Sequence, residues 1–386
     1  MNSRHSSPPR VTLADIASAC GVSRATVSLV LRGSKLVHPD TNALVEAEMK
    51  RQGYVRNRAA ANLRQGTSSS IALVVNDLSN PYFAEFAAGV DEALGAVGYV
   101  TLLGSTSESV ERQQAVIGLL MEHMPAGIIL SPAEGSDASR LERVIGVQTP
   151  VLVFNREFND SSWDYLGMDN RAGARMGTEY LLSLGHRRIA FFGGHLGSSS
   201  CRQRRQGYMD ALAAAGIVPE PQWLIETAPT RLEAATQAGS LFVRDPAPTA
   251  AVAYNDAVAL GLMLGLAARG RRPGHDFAVI GFDDIPESSV SVPPLTTVAT
   301  DPRARGRQAA QLILERTGNR QAPPTATIAP VRLMVRQSAC VALDFHSAVL
   351  QAAVTQAAHP VAVAPPAPRT DKSAKQSKPA KPKSKK

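Results

Sequence analysis

VTLADIASACGVSRATVSLVLRG, from Val11 to Gly33, sets apolar residues at helical periods twice in succession. Leu13, Ile16, Ala17 and Cys20 share one face of a short helix, and Val22, Thr26, Val27 and Val30 share one face of a second. Gly21 stands between them, where a helix must end in a left-handed turn, and Ser23 is placed to cap the second helix. A third amphipathic segment, Thr41 to Gln52, follows the start signal Pro39-Asp40 and carries Leu44, Val45 and Met49. These features predict a three-helix module over residues 11–55.

Beyond it, Arg56 to Gly66 is basic and Ala-rich and reads as a linker, residues 56–66. From Ile71 the chain alternates strand-like and helix-like segments. Ile71 to Val75, Val100 to Leu103 and Gly127 to Leu130 read as strands separated by the helical stretches Tyr82 to Leu94 and Glu111 to Met124. The pattern resumes with strands at Val151 to Phe154, Ile189 to Phe192, Ala250 to Ala253 and Ala278 to Gly281. Helices at Arg171 to Leu184, Arg204 to Ala215 and Ala257 to Arg269 lie between them. Such alternation predicts an α/β domain of doubly wound parallel sheets with ligands at the carboxyl ends of the strands, and its length favours two lobes over one within residues 67–345. Residues 1–10 and the Ala/Pro/Lys-rich, basic tail 346–386 have too little apolar surface to offset the entropy of ordering and are expected to be disordered.

Charge is unevenly spread. The 386 residues carry a net +8, but Met1 to Gly66 holds +6, Pro366 to Lys386 holds +7, and the middle nets −5. An acidic body with a basic head assigns the phosphate backbone of nucleic acid to the head. The hydrophobic fraction of 44% contains no run long enough for a membrane span, and Met1 to Arg10 lacks the apolar core of a secretory signal, so a cytoplasmic, nucleoid-associated location is expected. Cys20, Cys201 and Cys340 are odd in number and far apart, which excludes a disulfide framework and a paired-cysteine metal site. They read as small core residues.

Val11 to Gly33 closely resembles the opening of the lactose-repressor (LacI/GalR) family of bacterial transcriptional regulators. Further landmarks follow in family order: Gly53-Tyr54 with Asn57 and Leu63, Ser79-Asn80-Pro81-Tyr82-Phe83, Asp169-Asn170-Arg171-Ala172-Gly173, Leu184-Gly185-His186, Asn255-Asp256-Ala257, Gly281-Phe282-Asp283-Asp284 and Pro294-Leu295-Thr296-Thr297. The resemblance runs from about Val11 to Cys340. It implies a helix-turn-helix that reads double-stranded operator DNA and a bilobal body, similar to periplasmic binding proteins, that holds a small effector between its lobes. The effector would be a sugar, a sugar acid or a purine-like molecule. The assembly would be a homodimer, with a tetramer as the alternative.

By that resemblance the DNA-binding residues are Thr12, Ser23, Arg24, Ala25, Thr26, Ser28, Leu29, Arg32 and Tyr54, with Asn57 and Leu63 in the linker. The second helix would enter the major groove. Thr26 also faces inward by its own period, so its role is divided. Leu29 stands where relatives often carry Arg, which leaves apolar contact, such as with a thymine methyl, in place of a bidentate guanine contact. The linker would form a hinge helix on DNA, with Leu63 wedged into the minor groove; the alternative is that Leu63 packs on the body. Arg56 replaces a usual Pro, and Ala61 a common Arg.

Within the body, the resemblance assigns Tyr82, Phe83, Asn155, Arg156, Arg204, Asn255 and Asp283 to the effector. An aromatic ring can cover the apolar face of a sugar or base, Arg204 can grip ligand oxygens, and Asp283 can accept from hydroxyls or N–H groups. The alternatives are that Phe83 belongs to the core, Asp283 caps a loop and Arg204 pairs with a surface acid. His186 precedes a strand and reads as structural, and His195 has no partner at metal-ligand spacing. No metal, cofactor or catalytic group is expected. The chain has no phosphate-binding glycine signature, and Gly197-Ser198-Ser199-Ser200-Cys201 lacks the last glycine of a nucleophile elbow, which argues against an enzyme. A sugar-transport protein would fit the body but not the basic head.

Overall fold

A computed structural model describes residues 11–55, 68–158 and 161–341. The expectations for residues 1–10, for the linker with Asn57 and Leu63, and for the tail from 346 concern residues outside these.

The head is three helices, α1 Leu13–Cys20, α2 Arg24–Leu31 and α3 Pro39–Arg51. Thr12 and Asp15 cap α1 reciprocally, and Gly21 ends it at φ 65°, ψ 27°, a left-handed conformation open to a residue with no Cβ. Ser23 Oγ accepts the Thr26 N–H at 3.0 Å and starts α2, which leaves α1 at 107°. Ile16, Ala17, Val27, Val30 and Val45 form the core. Two local expectations need correction. α3 begins at Pro39, two residues early, because a proline in the first turn lacks only an N–H that would have no helical partner. Leu44 is 52% exposed, since Val45 and Met49, one turn apart, define the inner face.

The body comprises two lobes with the same winding. The first contains β1 Ser70–Val75, α4 Pro81–Ala96, β2 Val100–Ser105, α5 Val110–Glu122, β3 Gly127–Leu130, α6 Ala138–Ile145, β4 Val151–Phe154 and β5 Asp164–Met168. The second contains α7 Asn170–Ser183, β6 Ile189–Phe192, α8 Ser199–Ala214, β7 Leu224–Ile225, α9 Arg231–Gln237, β8 Ala250–Ala253, α10 Asp256–Ala267, β9 Ala278–Asp283, α11 Pro286–Val290 and β10 Thr296–Ala299. The chain then returns to the first lobe as α12 Pro302–Gly318 and β11 Ala326–Ala329, and ends in the second as β12 Arg332–Met334. The sheets run β11-β5-β4-β3-β1-β2 and β12-β10-β9-β8-β6-β7, and every pairing is parallel except β10 with β12. In each the strand order reverses beside the first strand, so a crevice opens at the carboxyl ends.

The chain therefore passes between lobes three times, at Asp169, at Thr300-Asp301 and at Pro330-Val331. The passages are tied together: the Asp169 N–H donates to Ala329 O at 3.0 Å, and Arg332 donates to Asp301. Sequence periodicity missed the strands β5, β7, β10, β11 and β12 and the helices α6, α9, α11 and α12, and it placed the start of α8 at Arg204 rather than Ser199. The run Ser199-Ser200-Cys201-Arg202-Gln203 has no apolar repeat to announce a helix.

Three helix pairs meet backbone to backbone, α4 with α12, α7 with α8, and α9 with α10, where a Cβ on Gly261 or Gly265 would overlap Arg231 O or Ala235 O. A Cβ on Gly306 of α12 would overlap Phe86 O of α4, and one on Gly207 of α8 would overlap Arg171 O of α7. Gly306→Ala should force α4 and α12 apart and cost about 1–3 kcal/mol, the usual penalty of overpacking. Calorimetry should show a lowered midpoint for the body, and an unchanged midpoint would contradict this packing.

Candidate functional site

A cavity of 370 Å³ lies between the lobes, lined from both at the carboxyl ends of their strands. The first lobe supplies Asp77, Asn80, Tyr82 and Phe83 after β1, Ser107 and Glu108 after β2, Glu134 after β3, and Asn155 with Arg156 after β4. The second supplies His195, Ser198 and Arg204 after β6, Thr230 after β7, Tyr254 with Asn255 after β8, and Asp283 at the end of β9.

All seven residues singled out in the body fall on this wall. Asn80 Oδ1 accepts the Tyr82 N–H at 3.1 Å and starts α4, which places Tyr82 and Phe83 in its first turn with ring centroids 5.1 Å apart, edge to face. Both rings belong to the hydrophobic core as well as to the cavity wall. Burial, reinforced by the Asp283 charge, pushes the Tyr82 phenol well above its ordinary range. Asn255 Oδ1 accepts the Val258 N–H at 2.9 Å and caps α10, so its amide NH2 is what it can offer to the cavity.

Arg204 is buried in the second turn of α8. Its Nε donates to Asn170 Oδ1 at 2.9 Å, Nη1 donates to Tyr254 O at 2.6 Å, and Nη2 lies 3.5 Å from Asp283 Oδ1. The guanidinium also sits 3.7 Å from the centroid of the Phe282 ring. Its acid partner is thus a buried carboxylate of the same wall rather than a surface acid. Asn155, at φ 68°, turns the chain after β4. The next residue, Arg156, donates to both Glu108 oxygens at 2.7 and 2.8 Å and to Pro132 O at 3.0 Å. Burial works against its charge, but Glu108 together with Tyr254 more than restores it and holds the group above arginine's usual range.

Glu108, Glu134 and Tyr254 carry no assignment from sequence, and His195 and Ser198 are weighed there only for metal and nucleophile roles. Each lies a few residues past a strand that the periodicity did reveal, so the carboxyl-end rule applied to every loop would have found them. His186 lies away from the cavity, bonded to Thr249 Oγ1 and Cys340 O at 2.8 Å each. Among the described residues no group of three or more His, Cys, Asp and Glu could hold a metal ion.

In the head, Arg24 and Ala25 are exposed at the start of α2, with Ser28 and Leu29 half-buried on the following turn. Thr26 is half-buried and tied to Ser23 Oγ at 2.9 Å, and the Thr12 and Ser23 hydroxyls serve as helix caps. Arg32 Nε donates to Ser28 O at 3.2 Å, and Tyr54 packs against the head core.

Residues 12–57 match the model of bacterial regulatory proteins of the lacI family, and residues 178–339 match the periplasmic binding protein-like domain. The chain is 31% identical to the maltose regulon regulatory protein MalI of Escherichia coli (strain K12) over 334 residues, 84% of this chain and 98% of that protein. Among solved structures it resembles the Lac repressor dimer bound to operator and the anti-inducer ONPF, with 28% identity and a TM-score of 0.77 over 86% of this chain and all of that one. It also resembles a complex of the transcriptional regulator CelR with cellobiose, with 30% identity and a TM-score of 0.65 over 85% of this chain and all of that one.

Burial pushes the Asp283 carboxyl up to about 8, with Arg204 pulling it down and Asp256 adding to the rise. The folded carboxyl keeps a proton that the unfolded one releases near pH 4. Its contribution to stability is therefore complete below about pH 4 and is lost as pH rises through about 8. Asp283→Asn stays neutral throughout, so its melting temperature should gain on wild type between about pH 5 and about pH 9. Parallel curves for the two proteins would refute the buried, proton-holding carboxyl.

Proposed function

The chain belongs to the lacI family of bacterial regulatory proteins, and from that premise we propose that it is a repressor whose affinity for operator DNA is set by a small sugar-like effector bound between the lobes. The observation that carries the reading is the convergence of the seven body residues, drawn from both lobes, on one cavity beside the three passages of chain. A ligand bonded to both lobes favours one angle between them, and three short connections are where such a change is absorbed. The complexes of relatives with ONPF and with cellobiose support a glycoside-like effector. Turnover of the ligand has no support, since the cavity's groups serve to hold and orient.

In the head, α2 is proposed as the helix that enters the major groove, with Arg24, Ala25, Ser28 and Leu29 toward base edges and Arg32 toward phosphate. Ser23 and Thr26 start that helix, Thr12 caps α1 and Tyr54 packs on the head core, and the four are proposed to bring backbone N–H groups and hydroxyls to the phosphates. A homodimer is supported by an apolar strip on the first lobe, where Val97, Val100, Leu103, Leu119 and Met124 are exposed on and beside edge strand β2 and on α5. Two heads on one dimer would read half-sites in successive major grooves, about 34 Å apart.

Selection of the full chain on randomised duplex DNA tests this directly. A two-fold symmetric site is expected, and Arg24→Ala should weaken binding to it by about 1–3 kcal/mol while leaving folding intact. A site without two-fold symmetry, bound tightly by a monomer, would contradict the proposal.

A further inference from the structure

We propose that the cleft is built for an uncharged, polyhydroxylated ligand, a neutral glycoside, and that the Glu108–Arg156 ion pair turns phosphorylated sugars and sugar acids away. The inference rests on the effector reading and narrows it. Its basis is the state of the positive groups. Arg204 is bonded on three sides by Asn170, Tyr254 O and Asp283. Arg156 is clasped by both oxygens of Glu108, which is itself fixed by Asn76 Nδ2 and the Glu134 N–H at 3.3 Å each. Neither guanidinium presents the open fork that grips a phosphate or carboxylate. His195 is the other group on the wall able to carry positive charge, against the carboxyls of Asp77, Glu108, Glu134 and Asp283.

An incoming anion would have to draw Arg156 off Glu108 and leave that carboxylate unpaired beside the new charge, in a cleft where charges interact far more strongly than in water. A hydroxyl meets no such obstacle, because it can donate to Glu134 and to the remaining lone pairs of Asp77, whose oxygens also accept from Ser79 N–H and Oγ at 2.8 and 2.7 Å. Moreover, Arg156 Nε is buried and has no partner. One buried N–H without an acceptor is costly, and a single hydroxyl or ring oxygen satisfies it. Tyr82, Phe83 and Tyr254 supply apolar surface for the C–H faces of a sugar ring. A second cavity of 480 Å³ shares Glu134 and Arg156 with the first, so a glycoside can extend outward past them. That outer space is also acidic, with Asp137 and Glu157, while Arg202 is held by Leu196 O and Gly197 O at 2.7 and 2.8 Å.

Titration calorimetry on the full chain tests the inference with matched pairs: glucose and glucose 6-phosphate, maltose and maltose 6′-phosphate, cellobiose and cellobiose 6′-phosphate, with gluconate and inorganic phosphate as further anions. At least one neutral sugar should bind, and each charged counterpart should bind at least about tenfold more weakly. Glu108→Gln, with its fold verified by circular dichroism, should free Arg156 and raise affinity for the phosphorylated sugars by about tenfold or more. Arg156→Gln should weaken the neutral sugar without that gain. A charged sugar held by wild type as tightly as its neutral parent overturns the inference and leaves the cleft reading standing; so does a folded Glu108→Gln protein with unchanged discrimination. If Glu108→Gln fails to fold, the wild-type pairs decide alone. Binding of none of the sugars, or binding indifferent to Asn255→Ala and Phe83→Ala, defeats the cleft reading itself.

Discussion

A guanidinium cannot shed its proton at any pH a protein meets, so a buried arginine dictates where oxygens must be placed around it. Arg204 makes this demand at the centre of the second lobe. It is met by Asn170 at the first passage between lobes, by the carbonyl of Tyr254 just past β8 and by Asp283 at the end of β9, while Phe282 offers a ring face. Four separate elements are thereby held to one point, and that point is a wall of the cavity. A ligand oxygen that bonds Asp283 or Tyr254 acts on the same cluster that holds Asn170, so occupancy of the cleft and geometry of the passage share atoms.

The first lobe answers with a second pair of the same kind. Arg156 and Glu108 join the loops after β4 and β2, and Pro132 O brings in the loop after β3. The cavity thus has two charged clusters, Arg204 with Asp283 in one lobe and Arg156 with Glu108 in the other, with hydroxyl-bearing and aromatic residues on the same walls. Each lobe is a complete layered unit with its own sheet, and the lobes are joined by short connections bound to each other at Asp169, Ala329, Asp301 and Arg332, with Glu157 of the first lobe also bonded to Ser199 Oγ and Gln203 of the second. A ligand shifts such a pair of lobes by as much as its affinity differs between their arrangements, and by no more.

What was legible in the sequence follows from what is local. Gly21 and Ser23 announce a turn and a cap within a few residues, and the strands Ile71 to Val75 and Ala278 to Gly281 are apolar enough to be seen alone. Asp164–Met168 mixes an acid, an aromatic and a glycine, and its place in the sheet comes from pairing with β4 and with β11, the second of which no local pattern reveals either. The return of α12 to the first lobe is likewise a matter of topology: Gly306 says only that something comes close. Family resemblance drew attention to Arg204 and Asp283 separately, yet that they are partners became visible only in three dimensions. Glu108 belongs to no motif, and its importance comes from Arg156 across the cleft wall.

The central claim is that occupancy of the interlobe cavity and affinity for operator are two readings of one equilibrium. It is tested most directly by measuring operator affinity at zero and saturating effector, and effector affinity with and without operator, on the same preparation. Each ligand is expected to change the affinity for the other by one common factor, between about five- and 150-fold. An effector that fills the cleft while operator affinity stays unchanged would contradict it.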